Sequence, residues 1–424
     1  MKKRWIAILM SAMLLTACAT SCNFSGASSP ESTGDSSKEE VNVDHDTPTF
    51  DLNRYLVPVW DDNGVAYNET AMLIRSQDDM SVFDVQLAYP IDEVISVRDF
   101  SLDEEYVKGV DYDYKDGILK IKETGRLFDI AIAYKEYYID KYVQGQNWPL
   151  AQGQGAQIMT EAQGGNAGLT AHQIAVTYTH SAQWNGEKPA DKSAKFPKFS
   201  QKIANGEPTS IVCLGDSISY GWTASGTEEV FLRPFCPKYF DLVTRYTEYK
   251  YGGVKAANYS VGGMTSSWGK ENVQVGNVVS QNPDLLILAF GMNDGSGQNS
   301  MSPAFYKENI KTTIERVRNT CPNCEVVLVA TMLPNKEIGF QPGNSVLGNQ
   351  KNYLAALLEL ENTMEGVAVA DVTSVHEHLL TRKAFRDMSA NNINHPNDYV
   401  HRVYAQVVLQ TLFGKIETVT IPED

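Results

Sequence analysis

Short uninterrupted apolar runs constrain this chain more than any other feature. They are Ile211-Val212-Cys213-Leu214, Leu285-Leu286-Ile287-Leu288-Ala289-Phe290, Val326-Val327-Leu328-Val329-Ala330 and Val367-Ala368-Val369-Ala370. Each is short and lacks polar alternation, which suits a strand buried on both faces. Helical segments lie between them. Ser302-Pro303 reads as an N-cap and first helical position, and Ile310, Ile314 and Val317 then recur at helical spacing. Strands alternating with helices predict a doubly wound, parallel-sheet α/β domain over residues 206–416.

Ligands of open α/β sheets bind beyond the carboxyl ends of the strands. Polar motifs stand at those ends here. Gly215-Asp216-Ser217-Ile218-Ser219 follows Leu214, and Asn258 to Thr265, with Gly262-Gly263 inside, follows Val254 to Ala257. Gly291-Met292-Asn293-Asp294 follows Phe290, and His395-Pro396-Asn397-Asp398 opens a last helix whose apolar face is Val400, Val403, Tyr404 and Val407. Singly these read as a turn and cap, a loop, an Asx-turn and a capping histidine. Together, in this order, they are specific.

The four blocks resemble the SGNH (GDSL-type) hydrolase superfamily over about residues 206–416, half of the chain. The resemblance implies a flavodoxin-like three-layer domain and a serine esterase. It implies Ser217 as nucleophile and His395 as general base. The oxyanion donors would be the backbone N–H groups of Ser217 and Gly263 and the side-chain amide of Asn293. An ester carbonyl needs such a nucleophile, base and donor set. The motif differs from the G-x-S-x-G nucleophile elbow. One departure stands out: the family usually carries Asp three residues before the catalytic His, and here that residue is Asn392. Either a carbonyl, including that of Asn392, orients His395 in a Ser-His dyad, or Asp387 or Asp398 supplies the carboxylate, or the enzyme is weakened. The dyad is the expectation.

The stretches Gly291-Met292-Asn293-Asp294 and Asn394-His395-Pro396-Asn397-Asp398, together with the two-part architecture, resemble bacterial acetyl esterases that place a β domain before an SGNH domain. That implies acyl groups, mostly acetyl, on carbohydrate hydroxyls as substrate, with no cofactor. A lipase, phospholipase or thioesterase on the same machinery is the alternative. A carbohydrate-binding surface protein with a vestigial hydrolase domain is another. Trp222 and Trp268 could stack on sugars or pack in the core. No metal site is expected: His376-Glu377-His378 reads as surface. Cys321-Pro322-Asn323-Cys324 reads as a turn, with or without a disulfide, and Cys213 as core.

Residues 49–205 read as a β-sandwich domain. Phe83 to Tyr89, Ile130 to Tyr134 and Ile174 to Tyr178 alternate apolar and polar, and Asp116-Gly117 signals a hairpin. Gly-rich residues 152–168 read as a mobile loop. Residues 18–48, rich in Ser, Gly, Asp and Glu, read as a disordered tether, and 417–424 as a C-terminal tail. Lys2, Lys3 and Arg4 before the apolar stretch from Trp5 to Leu15 give residues 1–17 the layout of a secretory signal. Leu15-Thr16-Ala17-Cys18 resembles the lipobox of bacterial lipoproteins, which implies a lipid on Cys18 and an extracytoplasmic, membrane-anchored protein. The formal net charge of −16 argues against nucleic acid as a partner.

Overall fold

The computed structural model describes residues 51–421 except 62–63, 77–80, 145, 152–154, 158–160, 298 and 342–343. The expected signal peptide and tether, with Cys18, lie outside the described residues. No helix among the described residues is long and apolar enough to cross a membrane.

In the N-terminal β region, β1 (Val65–Met72), β2 (Glu93–Asp99) and β3 (Gln173–Thr179) form an antiparallel sheet in the order β1–β3–β2. Asp116 and Gly117, both at positive φ, turn a hairpin between Tyr112–Lys115 and Ile118–Ile121. Two alternating stretches do not form long strands. Around Phe83 to Tyr89, the N–H groups of Ala88 and Tyr89 are taken by side chains, Glu69 Oε1 (2.7 Å) and Tyr178 Oη (3.2 Å). Arg126–Ile130 and Tyr134–Tyr137 are short helices flanking a two-residue strand. Leu127 and Ala131, four apart and both buried, carry a helical spacing hidden under the alternation.

The second sheet is parallel. β4 (Thr209–Gly215), β5 (Val254–Asn258), β6 (Leu285–Ala289), β7 (Glu325–Ala330) and β8 (Val367–Asp371) run in the order β5–β4–β6–β7–β8. Their side chains divide between two cores. Ile211, Cys213, Leu285, Ile287, Val327 and Val329 pack with helices 239–251 and 398–413. Val212, Leu214, Leu286, Leu288, Val326 and Leu328 pack with helices 272–280, 303–320 and 353–363. Coverage on both faces is why the runs are apolar without interruption. The expected surface reading of His376 is corrected here. It is fully buried on helix 372–379 beside Val372, Val375 and Leu379, its Nδ1 accepts from Leu333 N, and burial lowers its pKa to about 3. Cys213, Cys236, Cys321 and Cys324 are free, buried thiols.

The described residues belong to one compact unit, and the first of these cores includes Ala71, Val97, Ile174, Val176 and Tyr178 of the N-terminal sheet. The sheet is stitched to the segment just before helix 398–413. Lys383 Nζ donates to Glu69 Oε1 (2.6 Å) and to Thr70 O (2.7 Å), and both charged side chains are buried. Met72 N donates to Asp387 Oδ1 (2.9 Å), and Gln173 Nε2 donates to the carbonyls of Arg386 (2.9 Å) and Ser389 (2.7 Å). Asn397 Nδ2 donates to Thr70 Oγ1 and to Gln173 Oε1, each at 2.9 Å.

Removing one member of a buried ion pair leaves the other charge uncompensated. Lys383→Met is therefore expected to lower stability by about 3–5 kcal/mol in urea unfolding, and adding Glu69→Gln, which removes the orphaned charge and keeps an acceptor for Ala88 N, to recover part of it. Equal stability of wild type and Lys383→Met would contradict the role given to this pair.

Candidate active site

β4 ends at Gly215, where any side chain would collide with Ala289 O. Asp216 then caps helix 217–220, its Oδ1 accepting from Ile218 N (3.0 Å). Burial raises the Asp216 pKa to about 7, with the neighbouring Asp294 carboxylate adding to the rise. Ser217 is thereby the first residue of a helix, where backbone N–H groups have no partner within the helix.

The loop after β5 is fixed beside it. Val261 N donates to Gly215 O (3.1 Å), and a Cβ on Gly262 would lie 3.8 Å from Ser217 Cβ. Gly263 has φ +76°, and a Cβ there would meet no described atom within 4 Å. The residue is itself exposed. Asn293 follows β6, and its Nδ2 donates to Met264 O (3.0 Å), which brings this amide to the same loop. Its second N–H makes no hydrogen bond among the described residues. Asp294 holds the arrangement from behind, its Oδ1 accepting from the backbone N–H (2.8 Å) and the hydroxyl of Ser266.

His395 sits in a tight loop. Asn391 Oδ1 accepts from the N–H groups of Ile393, Asn394 and His395 at 2.9–3.0 Å, and Ser389 Oγ donates to His395 O (2.8 Å). Ser217 Oγ–H donates to His395 Nε2 at 2.9 Å. On the other side of the ring, Nδ1–H donates to Glu161 Oε1 at 2.6 Å. Glu161 also accepts from Asn391 Nδ2 (2.7 Å) and from Trp222 Nε1 (2.7 Å). Burial alone would raise the Glu161 pKa. The hydrogen bond from His395, its charge, and the Trp222 and Asn391 donors outweigh that and hold it at about 2.

The structure thus gathers Ser217, Gly263, Asn293 and His395 at the carboxyl ends of the strands. The expected dyad is corrected, because the carboxylate on His395 is Glu161, from the N-terminal region. Asn392, Asp387 and Asp398 make their own bonds elsewhere. Asn392 Nδ2 donates to Gln157 Oε1 (2.6 Å), and its Oδ1 accepts from Asn335. Asp387 accepts from Met72 N and Ala384 N, each at 2.9 Å. Asp398 accepts from Ser225 N (2.8 Å) and Ser225 Oγ (2.6 Å), and burial raises its pKa to about 6. Trp222 holds Glu161, with its ring 6.5 Å from that of His395, whereas Trp268 packs against Phe290. Glu161 and Asn391 escaped the sequence reading. Glu161 lies in the Gly-rich stretch read as a mobile loop, 234 residues from His395, in no periodic pattern.

Two outcomes follow from this geometry. Asp398→Asn is expected to keep kcat within about tenfold of wild type, since its bonds are to Ser225 and not to the reacting groups. A loss of several orders of magnitude in a folded protein would contradict that. A depressed carboxylate contributes stability above its unfolded pKa and loses it as pH falls through its folded value. The stability gap between wild type and Glu161→Gln in urea unfolding should therefore be full above pH 4.5 and shrink towards pH 2. A gap independent of pH across that window would contradict the assignment.

Residues 213–403 match the model of the GDSL-like lipase/acylhydrolase family. No curated protein matches the chain. Among solved structures, a two-domain esterase active on acetylated mannans, co-crystallised with mannopentaose, is 19% identical, with a TM-score of 0.41. That match covers 56% of this chain and 59% of the other. An acetyl xylan esterase is 17% identical over 47% of this chain and 98% of its own, with a TM-score of 0.37. A carbohydrate esterase of family 3 from Talaromyces cellulolyticus is 14% identical over 47% and 94%, with a TM-score of 0.36. Residues 213–403, which contain Ser217, Gly263, Asn293 and His395, are a GDSL-like lipase/acylhydrolase domain.

Proposed function

We propose that the chain is a serine ester hydrolase that removes short acyl groups, acetyl above all, from carbohydrate hydroxyls. The observation that carries the reading is the relay Ser217 Oγ–His395 Nε2 (2.9 Å) and His395 Nδ1–Glu161 (2.6 Å). Ser217 Oγ attacks the acyl carbonyl as His395 Nε2 takes its proton. Glu161 holds the ring in the tautomer with Nδ1 protonated and stabilises the imidazolium that forms. The carbonyl oxygen, now an anion, accepts from Ser217 N–H, Gly263 N–H and Asn293 Nδ2. His395 returns the proton to the departing sugar oxygen. Water, deprotonated by the same nitrogen, then releases the acid from Ser217.

The substrate class follows the family resemblance of the sequence blocks. One surface feature suits it. Phe231 and Phe235 are 67% and 42% exposed, with ring centroids 5.2 Å apart, on the segment that follows Trp222. Aromatic faces of this kind suit the apolar face of a sugar ring. They also suit an acyl chain, which keeps the lipase reading in the comparison. We further propose, from residues 1–18 alone, attachment to the bacterial membrane on its extracytoplasmic side through a lipid on Cys18.

A fluorophosphonate probe is expected to label wild type and not Ser217→Ala. Acetate release is expected from at least one of acetylated xylan, mannan, pectin or peptidoglycan fragments. Hydrolysis confined to long-chain nitrophenyl esters would overturn the carbohydrate reading, and no labelling would overturn the enzyme. For the anchor, Cys18→Ala should move the protein from the membrane pellet to the soluble fraction, and an unchanged distribution would overturn it.

A further inference from the structure

A chain of polar side chains joins the His395 loop to the N-terminal region through Asn392 and Gln157. Asn335 Nδ2 donates to the carbonyl (2.9 Å) and to Oδ1 (3.2 Å) of Asn392. Asn392 Nδ2 donates to Gln157 Oε1 (2.6 Å), and Gln157 Nε2 donates to Glu337 Oε2 (2.9 Å). Gln157, Asn392 and Asn335 are 0%, 2% and 4% exposed. Backbone bonds reinforce the join, with Ala151 N donating to Glu337 O (2.7 Å). Asn392 has φ +60°, a left-handed conformation that Asn tolerates better than most residues.

The two ends of this chain are informative. Gln157 stands four residues before Glu161, so fixing one confines the other to about 14 Å of extended chain. Asn392 directly follows Asn391, which donates to Glu161 and caps the His395 loop. The polarity is also determined. Asn392 Oδ1 is committed to the Asn335 donor, and the Glu337 carboxylate can only accept, so Gln157 must present its oxygen to Asn392. An acid at position 392 would set two acceptors against each other at 2.6 Å.

We propose that Gln157 and Asn392 are positioning residues that fix the Glu161 carboxylate on His395 by joining the two segments that carry them. The residue standing where the family usually has its acid thus secures an acid supplied from elsewhere in the chain. The proposal rests on the Ser217–His395–Glu161 reading above.

Asn392→Asp tests it with almost no change of shape. The variant keeps the acceptor for Asn335 and loses the donor to Gln157. Its kcat should fall about 10- to 100-fold with KM changed far less, as expected when a catalytic group is misplaced by a fraction of an ångström to about an ångström. The far-downfield proton resonance of the Nδ1–H···carboxylate bond should weaken in parallel. Adding Glu337→Gln lets the Gln157 amide turn over, donating to the carboxylate at 392 and accepting from the new amide at 337. The double variant should therefore recover both kcat and the resonance. Wild-type kcat and resonance in Asn392→Asp would overturn the proposal, and so would a loss that Glu337→Gln does not relieve. Should Asn392→Asp fail to fold, Gln157→Met in a folded protein serves instead, where an undiminished resonance overturns the proposal. A resonance unaffected by Glu161→Gln would instead overturn the triad reading beneath it.

Discussion

The carboxylate of this site depends on the docking of the N-terminal sheet against the segment that leads into helix 398–413. The α/β sheet alone can place a serine, two oxyanion elements and a histidine. It cannot place the carboxylate, because Glu161 comes from the N-terminal region, 234 residues before His395. The buried Lys383–Glu69 pair, the Asp387 bond to Met72 and the Asn397 and Gln173 amides fasten the two segments together. Polar groups buried at such a join are costly if unpaired, so a shifted docking loses several bonds at once. That makes the register of the join specific, which an apolar contact would not.

The rest of the site follows from the order of the parallel sheet. The order β5–β4–β6–β7–β8 puts the strand bearing Ser217 between the strands that lead to Gly263 and to Asn293. Their carboxyl ends converge on one crevice, as expected at the switch point of an open α/β sheet. Gly215 lets β4 end close against Ala289, and Asp216 caps the turn that presents Ser217. Acids in this half, Asp216, Asp294 and Asp398, are spent on caps and loops. The carboxylate that meets His395 comes instead from outside residues 213–403, which carry the serine.

Much of this was legible in the residues, and the reason is periodicity and adjacency. Strands covered on both faces must be apolar throughout, so 211–214, 285–290, 326–330 and 367–370 announce themselves. Motifs at their ends are contiguous in sequence and can be recognised as blocks. The N-terminal half was less legible because side chains take over backbone bonding there, as Glu69 and Tyr178 do for Ala88 and Tyr89. Glu161 was illegible for a different reason. An acid that acts through one long-range contact leaves no local pattern. The only hint was a vacancy, the amide at 392 in place of the expected acid.

The claim that matters most is that Glu161 completes the relay. The direct measurement is kcat for hydrolysis of a short-chain nitrophenyl ester by Glu161→Gln, with folding checked by circular dichroism. The account predicts a loss of about 10³- to 10⁴-fold with KM little changed, the scale seen when the acid of such a relay becomes an amide. A folded variant within about tenfold of wild type would contradict it and return the site to a Ser217–His395 dyad.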